Sequence, residues 1–122
     1  MKIFFVGIHN KIGMLPLDSK TRTGKVIDSI SEQLDCEIAK TNLCKGTDFP
    51  NFDEIEMANM IWHNSHIPKS DDVIVLLGQW VFENFEKRNL KNVIHINHPA
   101  GMFRRGNTDE YINKNYKFVS LN

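Results

Sequence analysis

Two cysteines in 122 residues, Cys36 and Cys44, are too few for a disulfide framework or an iron–sulfur site, and their spacing is not that of a Cys-x-x-Cys pair. Both thiols are expected to be reduced and packed, although Cys44 beside Lys45 can also be read as an activated thiol. Excess charge of either sign is lacking as well. Fifteen basic and fifteen acidic side chains give a formal net charge of zero, so no global field draws the chain onto nucleic acid or a membrane. Any contact with nucleic acid is therefore expected to be local. Long apolar runs are missing: residues 3–7 are much shorter than a signal-peptide core or a membrane span, and no cleavage-site pattern follows them. They read as a strand, and the chain as a cytoplasmic protein without a membrane partner. The G-x-x-x-x-G-K-[ST] loop and the G-x-G-x-x-G fingerprint are both absent, which removes the signatures of P-loop triphosphatases and Rossmann dehydrogenases.

What is present is 41% apolar composition in a length suited to one core, so residues 1–122 are expected to form one domain. Four short apolar runs, at 3–7, 37–43, 72–77 and 92–97, alternate with longer amphipathic stretches. That alternation predicts an α/β fold, a three-layer α/β/α arrangement around a four-stranded, mainly parallel sheet. Val26, Ile27, Ile30 and Leu34 recur at helical spacing behind Thr23, a candidate cap, and Gly24. A second helix is expected from Asp53, with Ile55, Ala58, Ile61 and Trp62 inward, and a third from Gly78-Gln79, carrying Val81, Phe82 and Phe85. Thr108, Asp109 and Glu110 suit the start of a last helix over 108–115.

In open α/β sheets, ligands bind at the carboxyl ends of the strands, where crossover loops and helix N-termini gather. This nominates the loops after each strand. In His98-Pro99-Ala100-Gly101 the proline fixes φ and places an imidazole at a strand end, with Arg104 and Arg105 following. Such a histidine can donate to charge developing on a leaving group while the arginines grip phosphates, or the segment can be a stiffened loop with a surface histidine. Gly7-Ile8-His9-Asn10 ends the first strand; His9 can orient water or bind a base, or simply satisfy a turn with Asn10. Asn42 ends the second strand, where an amide can read a nucleobase edge or serve its own loop. His63 and His66 share a helix face, but no third ligand with a fixed spacing is visible, and no metal or cofactor is expected.

In order, these pieces resemble the uracil-DNA glycosylase superfamily: Gly7-Ile8-His9-Asn10, Pro16-Leu17 leading to Thr23-Gly24, Thr41-Asn42-Leu43-Cys44-Lys45, Val75-Leu76-Leu77-Gly78, and His98-Pro99-Ala100 with arginines after it. The resemblance covers most of the chain. It implies a four-stranded parallel sheet between helices and hydrolysis of the N-glycosidic bond of a base flipped from DNA. It further implies that His98 stabilises the departing base anion and that Asn42 reads the base, with Gly7 and Asn10 beside it. Lys45, Arg104 and Arg105 are then the phosphate-binding side chains. The sequence departs from the pattern at three points. Ile8 or His9 stands where an acidic or amide residue positions water, Leu17 stands where an aromatic stacks on the base, and Ala100 replaces a serine. His9 is then the second catalytic candidate, and Phe49 the substitute stacking surface. The expected partner is DNA or a small nucleotide. The alternatives are a non-catalytic base-, nucleotide- or nucleic-acid-binding module of the same fold, and an interaction protein that uses its apolar helices and Trp62 or Trp80.

Overall fold

The computed structural model describes residues 1–8, 14–44 and 52–98. Within them the order is β1 (Lys2–Gly7), α1 (Arg22–Gln33), β2 (Glu37–Asn42), α2 (Phe52–Ser65), β3 (Val73–Leu77), α3 (Gln79–Asn84) and β4 (Val93–Ile96). The expected helix over 108–115 lies outside the described residues. The four strands form one all-parallel sheet in the order β2-β1-β3-β4. The α/β expectation therefore holds, and the sheet is parallel throughout.

The strands pair in this way because the two central ones offer apolar side chains on both faces. All five residues of β3, Val73–Leu77, are buried, as a parallel strand covered by helices on either side requires. Alternation divides the core in two. Ile3 and Phe5 of β1 and Val73, Val75 and Leu77 of β3 pack with Val26, Ile27 and Ile30 of α1. Phe4 and Val6, with Ile74 and Leu76, face the opposite way, onto Trp62 of α2, Val81 of α3 and Phe85 at the C-cap of α3. Each strand thus supplies both layers, which is the three-layer order its period-two pattern encodes.

A few polar side chains fix the elements against one another. Trp62, only 2% exposed, donates its indole N–H to Thr41 Oγ1 at 2.9 Å, and that hydroxyl donates to the Phe5 carbonyl at 2.7 Å. Trp62 is therefore interior, as its inward place on the expected helix requires, and the alternative that it serves a partner surface is corrected. Asn59, fully buried, donates to the carbonyls of Ile55 (3.1 Å) and Asn84 (2.8 Å) and accepts from the Glu86 amide (2.8 Å), tying α2 to the end of α3. The Asp72 carboxylate receives the amides of Lys2 (2.8 Å) and Lys69 (2.7 Å) and so joins the entries of β1 and β3. Partial desolvation works against its ionisation, but these two amides outweigh it and hold the carboxyl below its usual value.

Ile61, expected inward, lies outside, and Phe82, expected on one side with Val81 and Phe85, does not share their buried side. Ile61 is exposed on α2, where Asn59 and Trp62 take the inward positions, and Phe82 is exposed, its ring stacked on His95 at 4.4 Å between centroids. Among the described residues no helix is long and apolar enough to cross a membrane.

Candidate functional site

Because β1 leads to β2 on one side and β3 then pairs on its other side, the strand order reverses between β1 and β3. A crevice at the carboxyl ends of the strands is expected there. A cleft of about 260 Å³ lies at this edge, and Gly7, Asn42 and His98 all line it. Three residues from the ends of three strands, far apart in sequence, thus meet on one surface.

Register places Asn42 opposite Gly7, and pairing continues one step beyond the strand: the Leu43 amide donates to the Gly7 carbonyl and the Cys44 amide to that of Ile8, both at 2.9 Å. The Asn42 side chain lies across the Gly7 Cα, in space that any β-carbon would need. Glycine at position 7 is what lets the amide reach this edge.

His98 follows β4 and lies against Gly78, whose amide donates to the Ile96 carbonyl at 3.0 Å. Gly78 has φ +90°, which L side chains rarely adopt, and a β-carbon on it would come 3.3 Å from His98 Cβ and 3.4 Å from Cδ2. The imidazole is half-buried, and this burial pushes its pKa down, so it is neutral at physiological pH. A neutral imidazole donates from one nitrogen and accepts at the other.

The remaining wall comes from the segment before α1. The Leu15 carbonyl accepts the Asp18 amide at 3.1 Å, closing a turn with Pro16 at its second position and Leu17 at its third. Leu17 has φ +50° and is nonetheless buried; its side chain belongs both to the α1 core layer and to the cleft lining. Leu17 thus stands in the cleft where the resemblance expected an aromatic. Met14, Leu15 and Ile8 add apolar surface.

Asp18 also lines the cleft, and the spacing of motifs did not single it out. Its carboxylate accepts the amides of Lys20 (2.9 Å) and Leu15 (3.0 Å), which hold its pKa below the usual carboxylate value. The readable signal was Leu-Asp-Ser-Lys-Thr ahead of a helix, where an Asp side chain binds the amide two residues on. Thr21 rather than Thr23 is the cap of α1: its Oγ1 accepts the Gly24 amide at 3.0 Å and donates to the Asp18 carbonyl at 2.7 Å. The cap sits two residues earlier because Gly24, buried, lets the first turn press on the Asp18 carbonyl.

The expectations for His9, Asn10, Lys45, Phe49, Arg104 and Arg105 fall on residues outside those described. His63 and His66 flank Trp62: His63 Nε2 is paired with the Glu86 carbonyl at 2.7 Å and His66 Nδ1 with that of Trp62 at 3.1 Å. Among the described residues no group of three His, Cys, Asp or Glu is placed to hold a metal. Cys44 is buried in the second core layer and burial pushes its thiol up, so it is a packed thiol and not an activated one. Comparison with protein-family models, with curated proteins and with solved structures finds no match to this chain.

Proposed function

We propose that the chain is a uracil-DNA glycosylase-like protein whose cleft receives a flipped nucleobase, in DNA or in a nucleotide, and hydrolyses its N-glycosidic bond. The observation that carries this reading is the meeting of Gly7, Asn42 and His98 on one cleft at the switch point of the sheet. Cleavage leaves the bonding electron pair on the base and a cationic sugar to which water adds. A donor at the base oxygen lowers that barrier, and a neutral imidazole fixed against Gly78 suits the task. Asn42 offers a donor and an acceptor on one amide for the base edge. The four-stranded parallel sheet between helices is in keeping with the same reading.

One observation favours a second reading, a base-binding module without hydrolysis. Ile8, at a place where water is positioned in the superfamily this chain resembles, is an apolar part of the cleft wall. Labelled single- and double-stranded oligonucleotides containing uracil, treated with the protein and then with alkali, separate the two. Strand breaks that vanish in His98→Ala are expected of the glycosylase; saturable binding of uracil without breaks would favour the module. Neither breaks nor binding would sink both.

A further inference from the structure

A lysine stands where the alternation of β2 calls for an apolar residue. Lys40 pairs with Phe5 in register, so its side chain leaves the sheet on the face that α1 covers, the same face as Ile38. β2 is an edge strand, and an inward charge there guards against pairing with another chain. That accounts for a charge at this position but not for where its ammonium goes. Lys40 is half-buried, and Nζ donates to the Asp28 carboxylate of α1 and to Ser19 Oγ, the latter at 3.2 Å.

Ser19 belongs to the turn that walls the cleft. Next to it, the Asp18 carboxylate accepts the amides of Leu15 (3.0 Å) and Lys20 (2.9 Å), and the Asp18 carbonyl accepts the Thr21 amide (2.9 Å) and hydroxyl (2.7 Å). These bonds reach at most three residues along the chain and set the shape of the turn, not its place against the sheet. Two longer ties do that: Leu17 packs into the α1 core layer, and Lys40 reaches Ser19 from β2. Asn42, two residues beyond Lys40 on the same strand, lines the cleft opposite that wall. We infer that Lys40 is a positioning residue of the cleft, holding through Ser19 the turn whose Leu15, Leu17 and Asp18 form one wall beside Asn42. The inference rests on the base-binding reading for its ligand, whereas the tie itself is a property of the turn.

The test pairs uracil titration with hydrogen exchange at the Leu15 and Lys20 amides, in the unsubstituted chain, Ser19→Ala, Lys40→Met and their double variant. Each single variant is expected to bind uracil roughly two- to fivefold more weakly, the effect of one partly exposed charged contact, and to exchange both amides faster. The double variant should be no worse than Lys40→Met, since one contact is lost only once. Lys40→Arg, which keeps the charge and has the reach, should restore affinity and exchange together. A merely stabilising lysine would lower the melting temperature and leave uracil affinity and the two amides unchanged. That result, or losses that multiply in the double variant, would overturn the inference. Ser19 is exposed, so Ser19→Ala decides the matter even if Lys40→Met does not fold. Failure of uracil to bind the unsubstituted chain would overturn the base-binding reading instead. Exchange would then decide alone: faster exchange in Ser19→Ala keeps Lys40 as the holder of the turn, and unchanged exchange removes it.

Discussion

The side-chain oxygen of Asn42 lies 2.6 Å from the point that a β-carbon on Gly7 would occupy, and a Leu17 methyl lies 3.0 Å from the same point. Two strand ends in register are thus interlocked by the absence of a side chain on one of them. An added methyl cannot share that space, but Asn42 can swing aside at modest cost. Gly7→Ala is therefore expected to fold, with a stability loss of about 1 kcal/mol, and to lose most of any base affinity that Asn42 supplies. Urea denaturation paired with uracil titration checks this. Unchanged binding in a folded Gly7→Ala protein would show that the amide's position is unimportant.

Gly78 and His98 stand in the same relation with a harsher backbone term. At φ +90° an L side chain is strained whatever the space, and here the space is filled by the imidazole. Gly78→Ala is expected to cost about 1–3 kcal/mol of stability and to move the His98 ring. A double-mutant cycle separates the two effects. In a His98→Ala background the strain persists, whereas the effect of Gly78→Ala on binding or cleavage should vanish. A binding loss that survives in that background would show that Gly78 acts by another route.

The strands and their division between two core layers were legible because they follow from side-chain periodicity. Residues 3–7 and 72–77 alternate between faces whatever the loops do. The N-cap was misplaced by two residues because Thr21 and Thr23 both suit it, and the choice is made by contact between Gly24 and the Asp18 carbonyl. Ile61 was misplaced for a similar reason, its expected inward position being taken by Asn59. Hydrophobicity ranks Ile61 as inward, but Asn59 can be buried because three backbone groups satisfy it. Asn42 and His98 were readable as strand-end polar residues, whereas Asp18 was not, since its place in the cleft depends on how a turn folds back before α1.

The buried amide of Asn59 gives a prediction about stability alone. Asn59→Leu keeps the volume near its native value but leaves the Glu86 amide and the Asn84 carbonyl without their partner. Such a group costs about 1–3 kcal/mol when buried and unsatisfied, but Glu86 is exposed and Asn84 half-buried, so a loss of about 1–2 kcal/mol is expected. The melting temperature should fall by roughly 4–8 °C for a domain of this size. The cleft lies elsewhere, at the carboxyl ends of the strands, so ligand affinity at a temperature where the variant is folded should not change. A melting temperature within a degree of the unsubstituted chain would mean that water replaces the amide without cost.

Acid should weaken the fold in two stages. His98 and His63 are each held below the usual imidazole value of 6.5, His98 by burial and His63 by burial partly offset by the Glu86 carbonyl. As pH falls below about 6.5, the unfolded chain takes up protons that the folded one resists, so stability drops until the lowered folded values are passed. Asp72 and Asp28 are shifted in the same downward direction and act at lower pH. Both are held below 3.8 against desolvation, by backbone amides and by Lys40 and Ser19 respectively, so their contribution is present above that value and lost as pH falls through the lower folded one. Thermal melts at intervals between about pH 7 and pH 3 should show both declines, and His98→Gln should flatten part of the first. A first decline of unchanged size in His98→Gln would assign it to His63.

Leu17 sets a backbone cost against a packing gain, and the balance can be measured. Its φ of +50° is a region that costs a non-glycine residue about 1–2 kcal/mol. Pro16 before it favours a turn whose next position ordinarily takes glycine or asparagine. The side chain is nevertheless 9% exposed and packed with the α1 core layer, and truncating a buried leucine costs about 2–5 kcal/mol. Packing is the larger quantity, so Leu17→Gly should relieve the backbone and still lose about 1–3 kcal/mol overall. Leu17→Asn, which tolerates the same φ but puts an amide into apolar surroundings, should lose more. Urea denaturation of the three proteins ranks them directly. A glycine variant as stable as the leucine would mean that the side chain is not held by the core, and that its place in the cleft wall rests on the turn alone.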